Sequence, residues 1–171
     1  MCAMCEGRSF PEYLRSIEEL IDKHGWALQY VESDTRGSLA DLPHGRIDPA
    51  FCYTIGLTAH GHPEIVVTGR DPSDSAAILN ALARRVVVGG DRLGAGMYVS
   101  AAGFDFYVVD VDRTDEWLAM ANGMYSPASV RAVQAVWRDC EGVLPWEGDA
   151  PSTIVQPVLG PPPGWYDAGE W

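Results

Sequence analysis

The sequence predicts an α+β fold in which a sheet packs against two or three helices, and three observations predict it. Two stretches, residues 10–24 and 76–87, repeat apolar residues at the three- and four-residue spacing of a helix that buries one face. Between and after them run short apolar or alternating segments of strand length, punctuated by glycine, proline and aspartate. The chain has 171 residues, 47% hydrophobic and 21% charged, enough for one domain with a real core, whereas a second would be small.

The first helix gathers Phe10, Tyr13, Leu14, Ile17, Leu20 and Ile21 on one side, with Arg15, Glu18, Glu19, Asp22 and Lys23 on the other. Ser9 can cap it, with Pro11 in the first turn and Glu12 completing a capping box, and Gly25 stops it. His24, beside Lys23 in the last turn, reads more simply as a cation suited to the helix dipole than as a ligand. Residues 26–32 alternate into a strand. Residues 34–49 are polar, with Gly37, Pro43, Gly45 and Pro49, and read as a loop in which His44 is solvated. Two apolar runs, 51–57 and 65–68, are further strands joined by a polar segment too long for a tight hairpin.

Asp71-Pro72-Ser73-Asp74 signals the start of the second helix, whose stripe is Ile78, Leu79, Leu82 and Val86. Arg84 and Arg85 in its last turn suit the dipole and offer a modest anchor for an anion or carboxylate. Gly94-Ala95-Gly96 lacks the third glycine and the βαβ context of a dinucleotide loop. Residues 97–101 and 104–111 are strand candidates turning at Gly103, and 112–122 predict a short helix capped by Thr114 or Asp112. Residues 129–137 alternate like a strand, yet their alanine, arginine and glutamine also suit a helix; Asp139, Gly142 and Pro145 close by favour the strand. The aromatics Trp26, Tyr30, Phe104, Phe106, Tyr107 and Trp137 suit a sheet packed on helices, and a flavin or haem pocket needs further assumptions. The expected organisation is a tail over residues 1–9, one domain over 10–147, and an extended Pro- and Trp-rich tail over 148–171.

Net charge is −12, from 24 acidic and 12 basic residues, a balance that repels phosphate backbones and argues against direct nucleic-acid binding. Beyond solubility, such acidity suits a surface that meets a basic partner protein. No apolar run reaches the roughly 18 residues of a membrane helix. The first residues lack the basic start and apolar stretch of a signal peptide, so a cytosolic compartment with reduced thiols is expected.

In that compartment four cysteines suit metal, redox or packing roles. Cys2-Ala3-Met4-Cys5 has the spacing for two thiolates to grip one zinc or iron ion, but a structural zinc site takes four Cys or His ligands and no second pair follows. The remaining ligands would be distant: Cys52, Cys140, His24, His44, His60 or His62. An idle pair of thiols and a redox pair are the alternatives.

The chemically richest stretch is His60-Gly61-His62-Pro63-Glu64. On a strand, residues two apart share a face, so two imidazoles and a carboxylate would meet in one pocket, as a zinc or non-haem iron centre requires, with Asp139 available to orient a ring. The structural reading, in which His62 simply bonds a neighbouring carbonyl, stands ahead of the metal one, and a general acid or base role comes last. Nucleophilic catalysis has little support. There is no GxSxG, Cys52 between Phe51 and Tyr53 suits a buried strand, and Cys140 between Asp139 and Glu141 sits where a thiol pKa rises.

Tyr53-Thr-Ile-Gly-Leu57, then Gly61-His62-Pro63-Glu64 and an apolar strand ending in Gly69, resembles the signature of the bacterial domain-of-unknown-function family 4262. Gln134, Trp137, Asp139, Gly142, Pro145-Trp146 and Gln156 extend the likeness, which covers about residues 25–160. The N-terminal CxxC is similar to that of actinobacterial members, and Arg138 stands where the family carries a proline. The resemblance implies an α+β single domain with a mainly antiparallel or mixed sheet, and agrees with a strand at 129–137. It also implies that Tyr53, Gly56, His62, Pro63, Glu64, Gln134, Trp137, Asp139, Pro145 and Trp146 matter as a set, without assigning a catalytic role.

Two functions are therefore expected. In the first, a non-enzymatic cytosolic regulatory or adaptor protein binds zinc through Cys2 and Cys5, with His60 and His62 as further ligands, and docks on a partner protein such as a ribosome-associated or stress factor. In the second, a small metal-dependent enzyme uses His60, His62 and Glu64.

Overall fold

Ser9 and Gly25 bracket the first helix as their chemistry dictates. In the computed structural model, which describes residues 9–33, 50–147 and 156–163, the Glu12 carboxylate accepts from the Ser9 N–H at 2.9 Å and the Ser9 hydroxyl at 2.7 Å. Helix α1 (Phe10–His24) then runs to Gly25, whose φ of 90° ends it. Strand β1 (Ala27–Val31) follows, and β2 (Phe51–Ile55) pairs with it. A 3₁₀ turn, Leu57–His60, leads to β3 (Glu64–Thr68). Helix α2 (Pro72–Val87) opens on Asp71, which accepts from the Asp74 N–H at 2.8 Å.

Strands β4 (Tyr98–Ala101) and β5 (Phe104–Asp110) form a two-residue hairpin through Ala102 and Gly103, at φ 52° and 84°. Positive φ at both positions gives the turn whose twist matches the flanking strands. Two short helices, α3 (Thr114–Trp117) and α4 (Ala119–Met124), stand where one is expected, because Leu118 leaves helical geometry at ψ 52°. Residues 132–137 settle as strand β6 (Ala132–Trp137).

The sheet is a single mixed one, ordered β1-β2-β3-β6-β5-β4; β3 and β6 are parallel and every other pair antiparallel. Helices cover it on both faces, which is why β2, β3 and β6 are buried along their whole length and carry near-continuous apolar runs. On one face Ile78, Leu79, Leu82 and Val86 of α2 pack on Cys52, Ile65, Val67, Val133 and Ala135. On the other, Ile17 of α1, Leu118 and Ala121 meet Tyr53, Ile55, Val66 and Ala132. The fold is a single-domain α+β architecture, as expected from the sequence.

Candidate functional site

The connection from β2 to β3 holds the residues that the sequence singles out, and the backbone separates them. His60 ends the 3₁₀ turn and is exposed, His62 lies in the following turn and is buried, and Glu64 opens β3 and is fully buried. The alternation that would align the three requires a strand from residue 60 onward, and a 3₁₀ turn with Gly61 at φ 67° occupies that place instead. The three side chains therefore do not share a face.

Glu64 turns back on the turn that precedes it. Its carboxylate accepts from the Thr54 hydroxyl (2.7 Å), the Thr58 hydroxyl (2.7 Å), and the N–H groups of Gly56 (3.1 Å), Leu57 (3.3 Å) and Thr58 (2.9 Å). These are the unpaired first donors of the 3₁₀ turn, so the carboxylate does from inside the fold what an anion does at a helix start. Burial pushes its pKa above the ordinary carboxylate value, while the bonds from Thr54, Thr58 and Gly56 pull it back. Gly56 makes the arrangement possible: its φ is 130°, and a Cβ there would lie 3.0 Å from the Gly25 carbonyl oxygen and the Trp26 Cα.

His62 is occupied at both ring nitrogens. Nε2 accepts from the Leu93 N–H at 2.9 Å, which leaves the proton on Nδ1 to be donated to the Pro63 carbonyl at 2.6 Å. Burial lowers its pKa, the Pro63 bond opposes this, and the charges of Arg92 and Arg131 lower it further. Arg92 also donates to the Gly61 carbonyl at 2.8 Å, so the segment after α2 is latched to this turn twice. A metal at His62 would displace one of these bonds. Cys2, Cys5 and His44 lie outside the described residues, and among the described residues no three His, Cys, Asp or Glu side chains are grouped to hold a metal ion. Burial pushes the Cys52 thiol up to about 12, which suits packing and not attack.

Asp139, expected to orient a histidine, lies beyond the far end of β6 from the Glu64↔Ala132 pair. It instead accepts from the N–H groups of Glu141 and Val143, both at 2.9 Å, and closes a turn. At that end Gln134 and Gln156 do the bonding work. Gln134 donates to the Thr68 hydroxyl and the Pro157 carbonyl and accepts from the Leu159 N–H. Gln156 binds the Trp137 N–H and carbonyl, each at 2.7 Å, as a neighbouring strand would. Residues 156–160, within the expected tail, are thereby fastened to the sheet. The guanidinium of Arg70 is clamped between the rings of Trp137 (3.9 Å) and Phe104 (4.5 Å), a stack that pattern reading missed because its partners are far apart in sequence.

A groove of ≈ 650 Å³ crosses the start of the edge strand β1, between the C-terminal halves of α1 and α2. Leu20, Lys23 and His24 line one side, Arg84 and Val88 the other, and Trp26 lies between, its indole donating to Asn80 at 2.9 Å. Arg85, the other expected anchor, pairs with Asp91 at 2.8 Å. Among the described residues neither Lys23 nor Arg84 forms an ion pair. No described helix is long and apolar enough to cross a membrane.

No curated protein and no solved structure matches the chain. The family model described as Domain of unknown function (DUF4262) matches residues 20–151, well over half of the chain, and the chain belongs to that family.

Proposed function

We propose that this protein is a non-enzymatic adaptor that docks on a partner protein and whose N-terminal Cys2 and Cys5 bind zinc. One observation carries the first half of this reading. The two groups best suited to chemistry, His62 and Glu64, are spent on the chain's own backbone and threonine hydroxyls, with both ring nitrogens and both carboxylate oxygens engaged. A general base or an open metal centre needs such atoms facing a substrate; here they hold a turn. The zinc half rests on the CxxC spacing, and of the two histidines in the β2–β3 connection the exposed His60 is the available further ligand.

The test is metal content of the purified full chain, compared with Cys2→Ser/Cys5→Ser, His60→Ala and His62→Ala variants. About one zinc per chain, lost with the cysteines and weakened by His60→Ala, is the expected result. Metal lost only with the histidines favours the metal-dependent enzyme built on His60, His62 and Glu64. No metal in any preparation removes zinc from the proposal. Release of a bound partner by a chelator would tie the metal to docking.

A further inference from the structure

We infer that the groove across β1 is a docking site for an acidic segment of a partner protein, one that carries apolar side chains beside its carboxylates. This rests on the adaptor reading and names the chemistry of the partner.

The first argument is the sign of the charge. The chain has 24 acidic residues against 12 basic ones, yet among the described residues the ionisable groups lining this groove are Lys23, His24 and Arg84, with no carboxylate. Among the other described cations Arg70, Arg85, Arg113 and Arg138 each have an Asp or Glu partner, while Arg15, Arg92 and Arg131 form no ion pair, so it is the cation-only lining together with the apolar surface that sets this groove apart. Lys23 and Arg84 have no acidic partner among the described residues, and both stand in the last turns of their helices. Helix dipoles account for cations at those positions. They do not account for the apolar surface between them.

That surface is the second argument. Leu20 is 45% exposed and Val88 75%, and they are two of the five exposed large hydrophobic residues in the described structure. Both face this groove. Apolar anchors flanked by unpaired charges of one sign are the arrangement by which a groove captures an amphipathic segment of opposite charge. The floor is fixed beforehand, since Trp26 is buried and its indole is tied to Asn80, so little ordering cost falls on this side of the interface. The edge position matters as well: among the described residues β1 pairs with β2 alone, and an edge strand offers unpaired backbone groups to an incoming chain.

The experiment is a selection from a random peptide library against the full-length protein, followed by binding measurements on the enriched peptides with wild type, Lys23→Glu/Arg84→Glu and Leu20→Ser/Val88→Ser. Cooperative thermal unfolding of both variants well above the assay temperature serves as the folding control. The expected outcome is enrichment of peptides rich in Asp or Glu with Leu, Phe or Trp. Their affinity should drop by about tenfold or more in the charge-reversed variant, weaken with added salt, and also fall in the serine variant. Peptides that bind all three proteins equally overturn the inference, as does a failure to enrich any. Enrichment of basic peptides that ignore both variants overturns the groove while leaving an adaptor that uses its acidic surface. Metal analysis reports on the zinc reading independently of either result.

Discussion

Glu64 and Arg84 are both charged side chains on regular elements of the same core, one at the head of β3 and the other in the last turn of α2. Glu64 is enclosed and receives five hydrogen bonds, whereas Arg84 lies exposed in a groove with no carboxylate against it. The difference teaches where this molecule spends polarity on itself and where it leaves polarity for something else. A buried group must be satisfied internally because water cannot reach it. An exposed cation is under no such demand, and Arg84 stays available to whatever enters the groove.

The largest effect should come from breaking the enclosed end. Glu64→Ala orphans two hydroxyls and three N–H groups, those of Thr54, Gly56 and Leu57 buried and those of Thr58 partly so, and at about 1–3 kcal/mol for each buried unsatisfied donor the loss should reach about 4 kcal/mol or more in denaturant unfolding. A loss below about 1 kcal/mol would dissolve the contrast with the groove. Glu64→Gln should fall between, since an amide presents its own donors to donors.

Next is the fastening of residues 156–160. Gln156→Ala strips the Trp137 N–H and carbonyl of their partner and should cost about 2 kcal/mol, with faster proteolysis of this segment as the second readout. Gly160→Val should act similarly, because a Cβ at Gly160 would collide with the Asp110 carbonyl oxygen.

His62 gives a smaller effect with a pH signature. Its folded pKa lies below the ordinary 6.5, so on acidification the unfolded chain takes up the proton first. The stability it supplies is therefore present above about pH 6.5 and lost as pH falls through the folded value. His62→Gln should cost about 1 kcal/mol at about pH 8, and the gap to wild type should narrow as pH falls below about 6.5. Glu64, with its pKa raised, has the opposite sign: its contribution is greatest in acid and falls as pH rises through the folded pKa, so comparing variants at each pH separates the two. The groove should matter least: Lys23→Glu/Arg84→Glu should cost no more than about 1 kcal/mol, the size of the two helix-dipole interactions it reverses, and a much larger loss would mean that these cations are structural after all.

The elements were legible because each rests on local rules. Ser9, Glu12 and Gly25 mark the ends of α1, Gly103 the hairpin turn, and Asp71 the start of α2, and all act where expected. The likeness to the family was legible in Tyr53–Leu57 and Gly61–Glu64 for the same reason. His60, His62 and Glu64 would share a face only on a strand; spacing alone cannot choose between strand and loop, and the 3₁₀ turn at Leu57–His60 decides it. The Thr54, Gly56 and Thr58 pattern ahead of a Glu that opens an apolar strand was the available signal for a buried carboxylate with donors waiting.

By itself, then, the sequence determined the helices and strands, the class of fold and the acidic character of the chain, since periodicity, capping and composition act over a few residues or over the whole chain. Only the tertiary structure decided that Glu64 serves a turn, that His62 latches Leu93, that Gln134 and Gln156 hold a late segment, and that Leu20, Lys23, Arg84 and Val88 share one groove. The physical reason is sequence distance: 31 residues separate His62 from Leu93 and 19 separate Trp137 from Gln156. No local pattern encodes which of many possible partners a polar group will meet once the sheet has closed.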